Sequence, residues 1–461
     1  MRRLCISEID HDASIALFED DQLLAALSEE RLSRVKLHAG FPTRAVEWAL
    51  AAHPGELDEI CIAKPPMAKE TRLIGAALRE HAPWRDGLGP ISAALDYAAL
   101  HVWKRARTTR DIWRLNREID GWAAGRGVEG RLRREYNHHF LHAASAYYGS
   151  GWEDALAVTA DGQGGGVTAS VYACRAGKFE RLHEVKWPHS MGAFYASVTR
   201  ALGFKPNRHE GKITGLAGYE PPAEEALAYC RGMARSRGES FTVSGVYGRY
   251  PELMRLVRRH SPGAIAAAFQ IVLEEVLRDF TAYWLERTGL GRVVLAGGVF
   301  ANVKLNQRIA EISGVEDVFV FPGMADVGLC WGLGEWESRR GREFAPRSVS
   351  DVYWGPSYSE DEIAAALRRA GLAFRAVEDV GVTVGDLLAD GHVVSRFDGR
   401  MEFGPRALGN RSMLFHTRDR TVNDWLNKLL HRTEFMPFAP VTLAAEAPRM
   451  YRGLPRGRRR S

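Results

Sequence analysis

Cysteine is scarce: five residues in 461, at positions 5, 61, 174, 230 and 330. No two form a CxxC pair, and the odd count argues against a secreted disulfide framework, so a reducing cytoplasm is the expected setting. No run of roughly 18 apolar residues occurs, so no transmembrane helix is expected. The start, Met1-Arg2-Arg3, is basic, but Glu8, Asp10 and Asp12 interrupt it, unlike a signal peptide. An excess of one charge is also missing from most of the chain. Lys and Arg number 62 against 57 acids, a net charge of +5. Five arginines at the end (Arg452, Arg456, Arg458, Arg459 and Arg460) account for all of it. Residues 1–451 are balanced, so neither nucleic acid nor a membrane is an expected partner, and the basic end reads as a solvated tail. What is present is a globular mixture, 46% hydrophobic and 26% charged, in a length that suits two or three domains.

Two stretches read alike. Leu4–Leu17 and Ala155–Cys174 are each a strand, an Asp-containing turn and a second strand, and each leads through a polar hairpin to a third strand. This repeat suggests a duplicated α/β domain with halves of about 1–150 and 151–346, and a cleft lined by both acidic turns. The alternative is two unrelated hairpins. Apolar residues at helical spacing predict a helix over Ala264–Thr288, ended by Gly289 and Gly291. Arg292–Ala296 then runs as a buried strand into the Gly297-Gly298 turn, and 318–329 repeats the strand–turn–helix theme. Residues 347–359 read as a linker, and 350–461 as a second, smaller domain that opens with a helix at Glu360–Ala370.

His138 and His142, four apart, share one face of a helix and suit a metal. His139 points elsewhere. Asp161 and Asp326, at strand–glycine turns, are the carboxylates expected to complete the set. Such a set suits Fe(II), Zn or Mn without choosing between them. His11, beside Asp12, is either an acid–base or charge-stabilising group or a satisfied turn residue. The Glu29–Pro42 segment, which includes Lys36, is either a solvated loop or an anion cluster. Gly203–Ala217 is a mixed-charge glycine loop of the kind that cradles phosphate or forms a lid, without the P-loop pattern. In Phe397–Leu414, Arg400, Arg406 and Arg411 surround a lone Glu402 among glycines and prolines, a composition that suits an anion-binding turn.

These segments together resemble the NodU/CmcH family of carbamoyltransferases, which O-carbamoylate natural products and nodulation factors. The resemblance is carried by His-Asp at 11–12, EERLSRVKLHAGFP at 29–42, HHFLHAASAYY at 138–148, TADG at 159–162, GFKPNRHEGKITGLA at 203–217, LAGGVFANVKLN at 295–306, ADVGL at 325–329, GRMEFGPRALGNRSML at 399–414 and RTEFMPFAPVTL at 432–443. It implies an actin-like, ribonuclease H-like duplicated domain over 1–346 and a YrdC-like α/β domain over 350–461. The YrdC-like domain would make carbamoyl adenylate from carbamoyl phosphate and ATP. The actin-like domain would pass the carbamoyl group to a hydroxyl of a small molecule, a natural product or a sugar. The resemblance implies His138, His142, Asp161 and Asp326 as ligands of a divalent metal, Fe(II) first. It implies Gly297, Gly298 and Asn302 against the nucleotide, with Gly164 opposite. His11 and Lys36 would flank the carbamoyl group, and Glu210 or His11 would serve as base. Arg400, Glu402, Arg406, Asn410, Arg411 and Lys428 would serve the adenylate-forming site. Family members usually run on past the PFAP segment, so the C-terminal domain is expected to be incomplete, with a homodimer or a partner supplying the remainder. A small-molecule kinase and a non-catalytic nucleotide- and metal-binding subunit are the alternatives.

Overall fold

The computed structural model describes residues 1–7, 11–63, 117–133, 137–246, 248–416, 421–429 and 438–452. The first sheet contains β1 (Arg2–Ile6), β2 (Ser14–Glu19), β3 (Gln22–Ser28), β4 (Glu59–Ile62) and β5 (Leu132–Arg133). Its order is β3-β2-β1-β4-β5: the first three strands form an antiparallel meander, and β4 and β5 join in parallel. The second sheet begins with β6 (Asp154–Gly164), β7 (Val167–Arg175) and β8 (Lys178–Lys186). A short hairpin follows, β9 (Ala234–Ser236) with β10 (Phe241–Val243), and then β11 (Arg292–Ala296) and β12 (Asp317–Val320) complete the sheet. Read from its third strand, its order is β8-β7-β6-β11-β12, with the same pattern of antiparallel and parallel neighbours. The repeat seen in the sequence is therefore a duplication of topology, and two unrelated hairpins are excluded.

Strand alternation gives each sheet two faces that pack into different cores. In the first, Leu4, Ile6, Ile15 and Leu17 face one core, while Cys5, Ala16 and Phe18 face another. In the second, Leu156, Val158, Val293 and Leu295 lie under the helix Pro262–Thr288, and Ala155, Ala157, Val294 and Ala296 face the shared core. That shared core holds the helices His138–Ser150 and Leu329–Arg339, through Leu141, Tyr147, Leu329, Trp331 and Leu333. Small residues on the inner faces leave room for this helix pair between the two sheets. The Pro262–Thr288 helix starts where Ser261 accepts a hydrogen bond from the Ala264 N–H, and ends at Gly289 in the left-handed region.

One charged pair is built into the first sheet. Arg3 and Glu59 are register partners on β1 and β4; their Nε–Oε2 distance is 2.7 Å and both side chains are buried. Arg3 also donates to Ser338 Oγ at 3.3 Å, which ties the sheet to the Leu329–Arg339 helix. Arg3→Met, which leaves a buried carboxylate without its cation, is expected to cost about 3–5 kcal/mol. The double change Arg3→Met/Glu59→Leu should recover most of that loss. Urea midpoints of the two variants check both statements.

The expected linker is not free. Val352 and Phe403 belong to the shared core, and Trp354 stacks on Trp331 at 5.9 Å. The Trp354 carbonyl accepts from Ala26 N–H on β3 at 3.3 Å, so residues 352–355 lie along the edge of the first sheet. Farther on, β13 (Val394–Phe397) pairs antiparallel with β14 (Arg411–Leu414). The helix Glu360–Arg369 starts in a capping box formed by Ser359 and Glu362. Neither this helix nor Val380–Ala389 buries a side chain. Most of the basic tail and residues 432–437 lie outside the described residues. Among the described residues no helix is long and apolar enough to cross a membrane.

Candidate metal centre

Asn137 sets the geometry of the two candidate histidine ligands. Its side chain accepts from the Phe140 N–H at 3.0 Å and starts the His138–Ser150 helix. His138 and His142 therefore sit one turn apart, with their Nε2 atoms 3.1 Å from each other. Asp161 comes from β6, and Asp326 from the turn after β12. His142 Nε2 lies 3.2 Å from Asp161 Oδ2 and 3.4 Å from Asp326 Oδ1; the corresponding distances from His138 Nε2 are 3.6 and 3.5 Å. One ligand atom from each of the four lies within 4.8 Å of all the others. His138, His142 and Asp326 are buried.

This is a cluster of lone pairs. Asp161 Oδ2 is buried and has no hydrogen-bond donor aligned on it. Burial alone would raise the Asp161 carboxyl, but the imidazoles close by outweigh it and hold the group well below the usual carboxylate range. Two imidazole nitrogens and two carboxylate oxygens converging in a buried space fit a divalent cation, which is what balances such a set.

His139, between the two ligands in sequence, does something else. Its Nδ1 lies 2.8 Å from Thr159 Oγ1 and its Nε2 3.0 Å from the Val167 carbonyl. Burial pushes its pKa down to about 3. It is a neutral strut that holds the helix to β6 and β7.

His11 does reach the centre. Its Nδ1 is 3.2 Å from Asp12 Oδ2, and its Nε2 is 3.6 Å from Asp326 Oδ2. The hydrogen bond to Asp12 outweighs burial and, with the charges of Asp326 and Asp161, pushes it up to about 10. Lys36 is exposed. Its loop runs beside the His11 turn, because the His38 carbonyl accepts from Ala13 N–H at 3.1 Å. The acids of the Glu29–Pro42 segment build local structure: Glu29 accepts from Ala45 N–H at 2.8 Å and Glu30 from Leu37 N–H at 3.1 Å.

The residues expected against a nucleotide have packing roles. A Cβ on Gly164 would sit 2.1 Å from the His138 ring, so this glycine seats the His138 side chain. Gly297, at φ +104°, passes so close to β6 that a Cβ would meet the Ala160 carbonyl oxygen at 2.1 Å. A Cβ on Gly298 would lie 3.1 Å from Asp161 Oδ1. Asn302 caps the Val303–Ala310 helix through Leu305 N–H and pairs with Gln270 and Thr214. Glu210 accepts from Asn207 N–H at 2.7 Å and so closes the turn before its own helix; burial raises its pKa.

A cavity of about 500 Å³ lies beside Asn302 and along the Gly203–Ala217 segment, whose residues 210–216 form a helix and not the expected loop. The helices Glu210–Leu216 and Pro262–Thr288 and the turn at Ala301–Lys304 enclose it, with Gly211, Thr214, Gly215, Gln270 and Lys304 on its walls. Glycines at 211, 215 and 218 line it.

In the Phe397–Leu414 motif, two of the three arginine forks are spent on carbonyls. Arg400 donates to Trp354, Leu24 and Gly355. Arg411 donates to Asp398, Gly399, Asn410 and Pro356 while lying 3.7 Å over the Phe397 ring. Glu402 Oε1 accepts from the N–H groups of Leu408, Asn410 and Arg411, and Asn410 donates to the Arg400 carbonyl. These four residues build the turn. Lys428 is exposed on the Val422–Leu429 helix. Arg406 alone reaches the cavity wall.

Fold and site together define a duplicated α/β protein with a buried two-histidine, two-carboxylate centre between its halves. The chain belongs to the carbamoyltransferase family: the profile described as Carbamoyltransferase N-terminus matches residues 2–333, and that described as Carbamoyltransferase C-terminus matches 385–458. Similar proteins include an uncharacterised protein of Synechocystis sp., 30% identical over 96% of this chain and 75% of that protein. Nodulation protein NolNO of Sinorhizobium fredii is 30% identical over 95% of this chain and 63% of its own length. Nodulation protein NolO of Bradyrhizobium diazoefficiens is 32% identical over 70% of this chain and 61% of its own length. The chain thus spans 61–75% of the length of these relatives. Among solved structures, component A of the (R)-2-hydroxyglutaryl-CoA dehydratase of Acidaminococcus fermentans covers 73% of this chain and 98% of its own, at 13% identity and a TM-score of 0.40, too loose a match to add to this.

Proposed function

We propose that this chain moves a carbamoyl group from carbamoyl phosphate, by way of carbamoyl adenylate, to a hydroxyl of a small molecule such as a natural product or a sugar. The observation that carries the reading is the convergence of His138, His142, Asp161 and Asp326 between the two sheets, with His11 at the rim. In this reading 1–346 is an actin-like transfer domain and 350–461 is YrdC-like. Water releases phosphate from carbamoyl phosphate to leave carbamate. A carbamate oxygen attacks the α-phosphorus of ATP, and pyrophosphate leaves. The acceptor oxygen then attacks the carbamoyl carbon, its proton passes to a base, and AMP leaves.

His138, His142, Asp161 and Asp326 would hold the cation, Fe(II) by family resemblance, with Zn and Mn also matched to two nitrogens and two oxygens. When bound, it supplies Lewis-acid stabilisation of developing negative charge. His11, oriented by Asp12, presents Nε2 at the rim, where it can hydrogen-bond the carbamoyl oxygen or the leaving phosphate. Lys36, exposed on the adjoining loop, adds positive charge there. Glu210 is the candidate base, since its burial favours proton uptake. The cavity beside Asn302 is where adenosine would lie. Arg400, Glu402, Asn410 and Arg411 act through the turn they build, Lys428 lies on the next helix, and acceptor choice falls to loops such as 240–262. The setting is cytoplasmic.

A second reading is a non-catalytic nucleotide- and metal-binding subunit whose C-terminal segment packs against a second copy or a partner chain. It is favoured by helices 360–369 and 380–389, which bury no side chain. The test is incubation of the full, metal-loaded chain with carbamoyl phosphate and ATP. Pyrophosphate release supports adenylate formation, while ADP points to a kinase. Bound metal and nucleotide without either product supports the second reading and sinks the first for the isolated chain.

A further inference from the structure

Each acidic residue of the candidate centre is followed by a residue whose carbonyl is held by a buried serine. Ser190 Oγ donates to the Gly162 carbonyl at 2.7 Å, and Ser14 Oγ donates to the Val327 carbonyl at 2.8 Å. Gly162 and Val327 come directly after Asp161 and Asp326. Both serines are 0% exposed, and neither belongs to the cluster of ligand atoms. They lie 28 and 313 residues along the chain from the carbonyls they hold, a link that only folding makes.

The need for them is local. The β6–β7 register shifts between Ala160 and Gly164, which takes residues 161–163 out of the regular ladder. Gly162 is fixed from both ends instead. Its N–H donates to Asp161 Oδ1 at 2.6 Å, and its carbonyl accepts from Ser190. With Oδ1 held there, Oδ2 is the oxygen left to face His142, 3.2 Å away. Ser190 is itself fixed as the cap of the helix Met191–Ala201, accepting from Ala193 N–H at 3.0 Å. Gly192 lets that helix approach: a Cβ there would sit 2.7 Å from the Gly162 nitrogen. The Asp326 side is held across the two halves. Ser14 stands at the start of β2 in the first half, and Val327 lies in the turn after β12 in the second. Ser14 N–H donates to Ser7 Oγ at 2.8 Å, and Ser7 Oγ donates to the Asp12 carbonyl at 3.2 Å. One chain of hydrogen bonds thus joins the His11–Asp12 turn to the Asp326 turn. Cys330 Sγ also donates to the Val327 carbonyl, at 3.3 Å, but a thiol is a weak donor.

We infer that Ser14 and Ser190 are positioning residues of the metal centre: each fixes the peptide after an acidic ligand and so aims a carboxylate oxygen at the cation. The inference rests on the reading that His138, His142, Asp161 and Asp326 hold a divalent cation. The test is titration of the full chain with Co(II), whose visible bands report ligand geometry, alongside urea unfolding. The proteins are the wild type, Ser190→Gly, Ser14→Ala, the double variant and His142→Ala. Glycine caps a helix nearly as well as serine, so Ser190→Gly removes the donor at little cost to the helix. Partners that orient metal ligands typically carry 10–100-fold in affinity. Each single change should therefore weaken Co(II) about tenfold and alter its bands. The double change should weaken it about a hundredfold, since the two serines act on different ligands. Unaltered bands and affinities within about twofold of the wild type, even beside a lower urea midpoint, overturn the inference, because the serines then only stabilise the fold. Loss in one single variant alone overturns the assignment of the other serine. A wild type that takes up no Co(II), or a His142→Ala that takes it up equally well, overturns the metal reading and the inference with it. Uptake that His142→Ala abolishes and the serine variants leave unchanged keeps the metal reading and removes only the inference.

Discussion

His142→Ala is expected to empty the metal centre. His142 Nε2 lies nearest to the other three ligands taken together, 3.1 Å from His138, 3.2 Å from Asp161 and 3.4 Å from Asp326. Its side chain is fully buried. Removing it leaves two carboxylates and one imidazole. Changes one shell farther out typically cost 10–100-fold in metal affinity, so loss of a direct ligand should cost about 100-fold or more. Bound metal, measured by elemental analysis after dialysis, should fall to near background, and carbamoyl transfer should fall with it. The imidazole void adds a stability cost of about 1–3 kcal/mol, visible as a lower urea midpoint. Full metal occupancy in His142→Ala would show that the four residues are a hydrogen-bonded cluster and not a binding site.

Gly297→Ala should have the largest effect on folding. The residue sits at φ +104° and ψ 152°, a region open essentially to glycine alone. The added Cβ would also lie 2.1 Å from the Ala160 carbonyl oxygen, a contact only a backbone shift can relieve. The strand that must move is β6, which carries Asp161 at its next position. Backbone strain of this kind costs on the order of 1–3 kcal/mol, and the clash adds to it, so a loss of more than about 3 kcal/mol is expected. Metal affinity should drop as well, even though residue 297 is no ligand. Urea unfolding and metal binding on the same preparation check both. A wild-type midpoint would mean that β11 and β6 can separate without cost.

Much of the centre was legible in the chain because its signals are local or repeated. His138 and His142 are four apart, a spacing that has one helical meaning. The strand–acidic turn–strand repeat announced two like sheets, and both have the same strand order. The Pro262–Thr288 helix was marked by apolar spacing and by Gly289. Asp161 and Asp326 were marked out by their strand–glycine turns and by family resemblance, since nothing in residue spacing links positions 161 and 326. Less legible were the glycines. Gly164, Gly297 and Gly298 read as ligand-approach positions, but their neighbours are His138, Ala160 and Asp161. A glycine that admits a ligand and one that admits another strand look the same in a sequence.

The sequence by itself determined the two halves, the helix that presents the histidine pair, the membership in a carbamoyltransferase family and the composition of the 399–414 turn. Each of these depends on periodicity, spacing or motif, which are properties of contiguous residues. Only the tertiary structure decided which arginines of that turn are spent. Arg400 is held by carbonyls at 24, 354 and 355, and Arg411 by carbonyls at 356, 398, 399 and 410. Most of those acceptors lie far from the motif in sequence. The cavity beside Asn302 is likewise assembled from segments near 211, 270, 301 and 406. Burial and hydrogen-bond satisfaction are set by what folds back against a residue, so they appear only once the chain has packed.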